Sequence, residues 1–271
     1  ELVHSAEAGQ DVRIVLDQTP FYGESGGQIG DTGTIQTEHA MIAVNDTKTL
    51  NNIIVHLGTV MKGKITTNEK AISKIDKKRR EAIRRNHSAT HLLHYVLRQV
   101  IGQHAEQSGS LVAADRFRFD FHHFAGITKD ELARIEEMIN EMIMENTRVS
   151  VQEMTLNEAQ ETGAVALFGE KYSENVKVVN IGNFSRELCG GTHVISTGQI
   201  GLFKIIHESS VAAGIRRIEA VTGKEAIMRT KQKEEILGRL CHILDTHENS
   251  VIQRAEEIMQ QIKDLKKEAQ K

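Results

Sequence analysis

The feature that most constrains this chain is a pair of short motifs far apart in sequence. "RRNHSATHLLH" (84–94) places His87 and His91 one helical turn apart, and "LCGGTH" (188–193) places Cys189 and His193 at the same spacing. Side chains at i and i+4 of a helix share a face, so the two pairs read as two halves of one metal site. Any fold must then bring the first helix back against a much later turn. One thiolate with three imidazoles suits tetrahedral Zn²⁺. Among thirteen histidines a lone HxxxH is weak evidence; the second pair, with two glycines that let backbone crowd a site, carries more weight.

Familiar zinc hydrolases are excluded by single residues. A metalloprotease helix carries Glu after the first histidine, and here that position is Ser88. A nucleobase deaminase needs a glutamate beside its histidine and a Pro-Cys-x-x-Cys, and neither accompanies these motifs.

Around these motifs the pattern is α+β. Residues 1–75 read as an N-terminal antiparallel β-sheet or small barrel, with strands at 12–17, 34–46 and 52–58 and a glycine-rich loop, "YGESGGQIGDTG" (22–33), entered by the only proline, Pro20. Periodicities of three and four predict a helix over 76–101, with Ile83, His87, Thr90, His91, His94 and Leu97 on one face. Strict alternation predicts a strand at 116–124. Thr128 and Glu131 form a capping box opening a helix over 128–147. Further strands are expected at 148–154, 176–181, 201–207 and 215–220, with a short helix at 156–163. These make a second domain, 76–223. A helical tail, 224–271, follows. In it Val251, Ala255, Ile258, Ile262, Leu265 and Ala269 alternate spacings of four and three, the stripe of a coiled-coil seam, with "THENS" (246–250) as a break before it.

Two cysteines in 271 residues, Cys189 and Cys241, do not make a disulfide framework, which points to a reducing cytoplasm. No apolar run approaches the ~20 residues that span a bilayer. The first residue is Glu and residues 1–8 read like the middle of a fold, so a fragment of a longer protein is expected. Net charge is −3, yet "KIDKKRREAIRR" (74–85) carries seven Lys or Arg and leads directly into His87. It is either a solvated helix face or a phosphate-contacting patch.

"HSATHLL", "CGGTH" and "TPFYGESGGQIGDTG" together resemble the editing domain of the alanyl-tRNA synthetase family, over about residues 1–223. Free-standing relatives and, more distantly, the threonyl-tRNA synthetase editing domain share the two half-motifs; the long N-terminal sheet disfavours the latter. The resemblance implies zinc held by His87, His91, Cys189 and His193, and hydrolysis of serine or glycine from the acceptor end of tRNA specific for alanine. It makes Thr90, Gln107 and Cys189 the candidates for catalysis. Thr90 shares the histidine face, although a helix-interior threonine also bonds its own i−4 carbonyl. Gln107 matches a pocket glutamine and would otherwise be a polar loop residue. For tRNA and substrate the candidates are Gln28, in the glycine loop, and Arg216 and Arg217, of which alternation lets only one face the site. Arg79, Arg80 and Arg84 of the basic run complete that set. The resemblance also implies a longer parent that ligates alanine to tRNA using ATP, by a domain absent from this chain, and an oligomer formed through the tail. His94 and His104 are expected to be packing or surface residues. A free-standing editing hydrolase, or a tRNA-binding module with structural zinc, remain the alternatives.

Overall fold

The computed structural model describes residues 2–165 and 174–270. The chain divides into two compact units, one up to Lys224 and one from Glu225 onward.

The first unit begins with short strands β1 (Ser5–Glu7) and β2 (Asp11–Ile14), then β3 (Gly33–Gln36), β4 (Ala40–Leu50), β5 (Ile53–Thr66) and β6 (Ile72–Ile75). They form an antiparallel sheet in the order β1-β5-β4-β3-β6, with β2 also pairing β5. The long β4–β5 hairpin turns on Asn51 and Asn52, both at positive φ (50° and 64°). That is the backbone a two-residue hairpin needs to match strand twist, and asparagine tolerates it. Alternation buries Ala40, Ile42 and Val44 with Phe21, Ile35 and Val60 in a small core. The expected small barrel is not seen: among the described residues no pairing joins β6 back to β1 or β2. The stretch read as one strand over 34–46 is two. At its middle the Thr37 hydroxyl accepts from the backbone N–H groups of His39 and Ala40, a local turn that competes with the ladder.

Helix α1 (Lys77–Val100) follows, capped by Asp76, whose carboxylate accepts from the Arg79 N–H. Then come β7 (Gln107–Val112), β8 (Phe117–His122), α2 (Lys129–Met144), β9 (Val149–Thr155), α3 (Leu156–Glu161), β10 (Asn175–Ile181) and β11 (Ser185–Leu188), and finally β12 (Phe203–Ala212) and β13 (Ile215–Thr222). The Thr128–Glu131 capping box of α2 is present. Two further antiparallel sheets result, β12-β13-β8-β7 and β11-β10-β9. Phe117, Phe119 and Phe121, on one face of β8, pack with Ile83, Leu92, Leu93 and Leu97 of α1 and Ile135 and Ile139 of α2 in the main core. Against that core α1 presents its histidine face to the loop after β11.

The second unit holds most of α4 (Gly223–Ile243) and all of α5 (Val251–Glu268). The break falls within 244–250, where "THENS" stands. Val251 is buried, while Ile262 and Leu265 at the far end of the stripe are exposed. No helix of the described residues is long and apolar enough to cross a membrane.

Candidate metal centre and its cavity

His87 and His91 project from α1 with parallel rings, centroids 5.4 Å apart. The segment after β11 returns Cys189 and His193 to the same spot, so one ligand atom from each of the four residues lies within 4.8 Å of the others. Cys189 Sγ is 3.4 Å from Nε2 of His87 and 3.4 Å from Nε2 of His193. Gly191 is what lets the turn come this close. A Cβ there would stand 2.0 Å from His87 Cε1.

Outer partners fix the inner chemistry. Gln28 Oε1 lies 2.7 Å from His87 Nδ1 and Glu187 Oε2 lies 2.8 Å from His91 Nδ1. Both oxygens can only accept, so each imidazole carries its hydrogen on Nδ1. Gln28 Oε1 also accepts from the Thr192 backbone N–H at 2.8 Å, which sets the amide's orientation. His193 Nδ1 meets Ser88 Oγ at 3.3 Å, and the same oxygen accepts from the Val194 N–H. All three Nδ1 atoms are thus engaged outward. Nε2 of His91 is buried without a hydrogen-bond partner. Metal-ligating histidines show this same outward anchoring.

Charge agrees. Burial alone would raise the Cys189 thiol, but His87 and His193 outweigh it and hold the pKa well below the usual cysteine range. Burial pulls His193 down to about 4, leaving it neutral. Burial opposes protonation of His91 too, but Glu187 and Cys189 outweigh it and raise the pKa to about 10. Glu187 stays ionised: burial disfavours its charge, and His91 and His94 overcome that. A thiolate with imidazole nitrogens is a donor set that fits Zn²⁺.

Beside this centre lies a cavity of about 70 Å³, lined among others by Tyr22, Thr90, Gln107, Ser110 and Glu187. Thr90 faces it, and its hydroxyl donates to the Asn86 carbonyl at 2.9 Å. The helix-interior bond and the cavity position therefore coexist, leaving Thr90 Oγ1 an acceptor toward the cavity. Gln107 opens β7 rather than a loop, with its amide 3.4 Å from Ser110 Oγ. Gln28 sits behind His87, holding the ring.

The arginines fall elsewhere. Arg216 pairs with Glu208 and Arg217 makes a two-pronged pair with Asp120; neither lines the cavity. Arg79 donates to the Gly30 carbonyl and Arg84 to Glu81. Arg80 departs from the expected phosphate-contacting role. It is buried, and its guanidinium is spent on Asp31 and the Pro20 carbonyl. His94, expected only to pack, bonds the second oxygen of Glu187 at 3.2 Å. Glu187 itself escaped the sequence reading, as did Ser88 as an anchor. A lone glutamate two residues before a cysteine has no spacing to mark it.

Two family profiles match the chain. One described as tRNA synthetases class II (A) covers residues 1–79, and one described as threonyl and alanyl tRNA synthetase second additional domain covers residues 176–219. Among curated proteins, the alanine--tRNA ligase of Thermoanaerobacter sp. (strain X514) is 48% identical over 99% of this chain and 31% of its own length. That of Clostridioides difficile (strain 630) is 47% identical over 99% and 31%, and that of Wolbachia pipientis wMel 48% over 97% and 30%. The chain thus spans less than a third of the length of these relatives.

Proposed function

Because the chain belongs to the alanyl-tRNA synthetase family, we propose that it is the editing portion of such an enzyme, removing serine or glycine wrongly attached to tRNA specific for alanine. The observation that carries this is the convergence of three outwardly anchored imidazoles and one thiolate beside a small polar cavity. His87, His91, Cys189 and His193 would hold Zn²⁺, which when bound would organise and fix one wall of the pocket, since four protein ligands leave no open tetrahedral position.

The chain's own residues supply the selection. The cavity of about 70 Å³ is lined by polar groups, Thr90, Gln107 and Ser110 among them, that can pair a small hydroxyl-bearing side chain. Thr90 Oγ1 accepts a hydrogen bond from the serine hydroxyl, and the Gln107 amide binds that hydroxyl or places the attacking water. Alanine would leave these groups unpaired. A synthesis pocket that admits alanine rejects an added hydroxyl by only roughly 10²-fold, so serine is sorted by a second site that pairs its hydroxyl, a contact glycine does not share. In the reaction, water adds to the ester carbonyl. The bond to the tRNA 3′-terminal oxygen breaks, and that oxygen leaves with a proton, giving free amino acid and uncharged tRNA.

In this reading residues 1–75 and 76–223 are the β part and the zinc-holding part, 224–271 a packing or oligomer-forming tail, and Arg79 and Arg84 contacts to tRNA. The longer parent would ligate alanine to tRNA with ATP, in the cytoplasm. The test is hydrolysis of Ser-tRNA and Gly-tRNA for alanine by this chain, before and after zinc removal, with zinc content measured in Cys189→Ala. Hydrolysis that persists undiminished without zinc would leave the metal structural; absence of hydrolysis in the zinc-loaded protein would remove the editing assignment.

A further inference from the structure

A second ring cluster, at the end of the same sheet, has no part in the centre described above. Phe124 is 85% exposed, whereas Phe21, Phe117, Phe119, Phe121 and Phe203 are buried. Its ring lies against two imidazoles: centroids are 4.8 Å to His123 and 5.7 Å to His104, and 5.1 Å between the two histidines. His104 Nε2 and His123 Nδ1 share a hydrogen bond at 2.8 Å. The His123 N–H donates to the carbonyl of Gly214, which turns β12 into β13 at φ +71°. The rings are therefore tied to the sheet, with the Phe124 face open to solvent.

Their position is informative. Gln107 faces the cavity and pairs with Phe121 across the β7–β8 ladder. The His122 N–H donates to the Glu106 carbonyl, continuing that ladder outward. His104 precedes Gln107 by three residues and His123 follows Phe121 by two. At ~3.3 Å per strand residue, His123 stands about 7 Å beyond the Phe121–Gln107 pair, and the hydrogen bond between the two imidazoles keeps His104 beside it. Arg216 lies in the same cross-strand row as Phe121 and Gln107. The cavity, Gln107 and the rings thus follow one another along one edge of the sheet.

We propose that His104, His123 and Phe124 form a stacking platform for the unpaired nucleotides adjoining the esterified 3′ end of tRNA, an inference that rests on the editing reading. Unpaired bases bind proteins by stacking on phenylalanine and histidine rings, independently of base identity. Aromatic faces suit bases rather than phosphates here, and the neighbouring Arg216 is paired with Glu208. An amino acid in the cavity would place its nucleotide beside Gln107 and the next bases over the rings.

The test uses Phe124→Ala, Phe124→Trp and Phe124→Leu at this exposed position. An oligoribonucleotide with the tRNA 3′ sequence, carrying 2-aminopurine at the penultimate base, should be quenched on binding the unaltered chain and Phe124→Trp, and much less by Phe124→Ala or Phe124→Leu. KM for Ser-tRNA should rise about 5-fold or more in Phe124→Ala, from the lower end of per-base stacking, with kcat unchanged. Hydrolysis of the seryl ester of adenosine alone should not change, and the KM effect should survive added salt, unlike a phosphate contact. Unchanged quenching and KM in Phe124→Ala would overturn the platform, as would an equal loss on the adenosine ester. Nucleotide binding left intact while solution mass changes would make the rings a protein contact instead, which also overturns it. If the editing reading itself fails, the unaltered chain hydrolyses neither substrate, and the quenching experiment still reports on the rings.

Discussion

Glu187 Oε2 stands 2.8 Å from Nδ1 of His91, and so determines which nitrogen of that ring can meet a cation. The same carboxylate bonds His94 Nδ1 and the Ser185 hydroxyl through its other oxygen. Glu187→Ala should weaken zinc binding about 10–100-fold, the usual cost of losing an outer partner of a histidine ligand. Glu187→Gln, whose amide oxygen still accepts, should lose less. Competition with a chelator measures both; equal affinity in all three proteins would deny Glu187 its orienting part.

Gly191→Ala should strike the opposite flank. Its Cβ would stand 2.0 Å from His87 Cε1 and 2.3 Å from Nδ1, so ring and turn cannot both keep their places. Zinc per chain should fall well below one, while far-ultraviolet circular dichroism stays near that of the unaltered protein. Gly190, with nothing near its Cβ position, is the control, and its alanine variant should hold zinc normally.

The basic run should separate by burial. Arg80→Ala leaves Asp31 charged and buried, a change that costs about 3–5 kcal/mol. Arg84→Ala, at a half-buried i,i+3 pair, should stay within about 0.5 kcal/mol. Charge reversal at Arg79 and Arg84 should instead weaken tRNA binding and flatten its salt dependence by about one unit of slope per lost phosphate contact. Denaturant midpoints and binding at three salt concentrations test both halves. A stability loss at Arg84 as large as at Arg80 would contradict the division.

His56 should make the N-terminal sheet sensitive to acid. Burial lowers its pKa below the ordinary 6.5, and its ring bonds the Ile14 carbonyl and the Thr19 hydroxyl. The folded state thus binds the proton more weakly than the unfolded chain. This contribution to stability is complete above about pH 6.5 and is lost as pH falls from there toward the lower folded value. Urea midpoints between pH 7.5 and 5 should fall less steeply in His56→Gln than in the unaltered protein; parallel slopes would place the acid sensitivity elsewhere.

Deleting residues 246–271 should leave zinc content and serine hydrolysis largely intact. The cavity and its ligands all lie within the unit ending at Lys224. What should change is solution mass or thermal stability, since Ile262 and Leu265 continue an apolar stripe into solvent. A folded, truncated protein that has lost hydrolysis would show that the tail serves the site.

The four metal-ligand candidates were legible because helical spacing and a glycine-flanked turn leave marks in sequence. Their supports were not. Ser88 could be read only as the absence of a protease glutamate, yet it anchors His193. Gln28 stood out through its glycine loop, but its partner His87 is set by the tertiary fold. The capping box at Thr128 and the alternation of β8 involve neighbours in sequence, and so were plain. Strands β6 and β11 have four residues each, too few alternations to read, and β7, as long as β8, lacks its alternation of large apolar residues. The basic run showed the limit most clearly, since Arg80 differs from Arg79 only by the side of the helix it occupies.

The dispersal of the centre along the chain sets a schedule for its making. His87 and Cys189 lie 102 residues apart. At ~5–20 residues per second of synthesis, roughly 5–20 s pass after the α1 histidines are made before the thiolate of their set exists, with His193 following it. During that interval Glu187 is missing as well, and His91 has no acceptor to orient it. In the proposed zinc reading the nascent helix alone would offer a loose two-nitrogen grip, too few donors to select an ion. Loading with the right ion would thereby be postponed to the end of folding, when closure of the "CGGTH" turn brings in the sulfur that favours zinc.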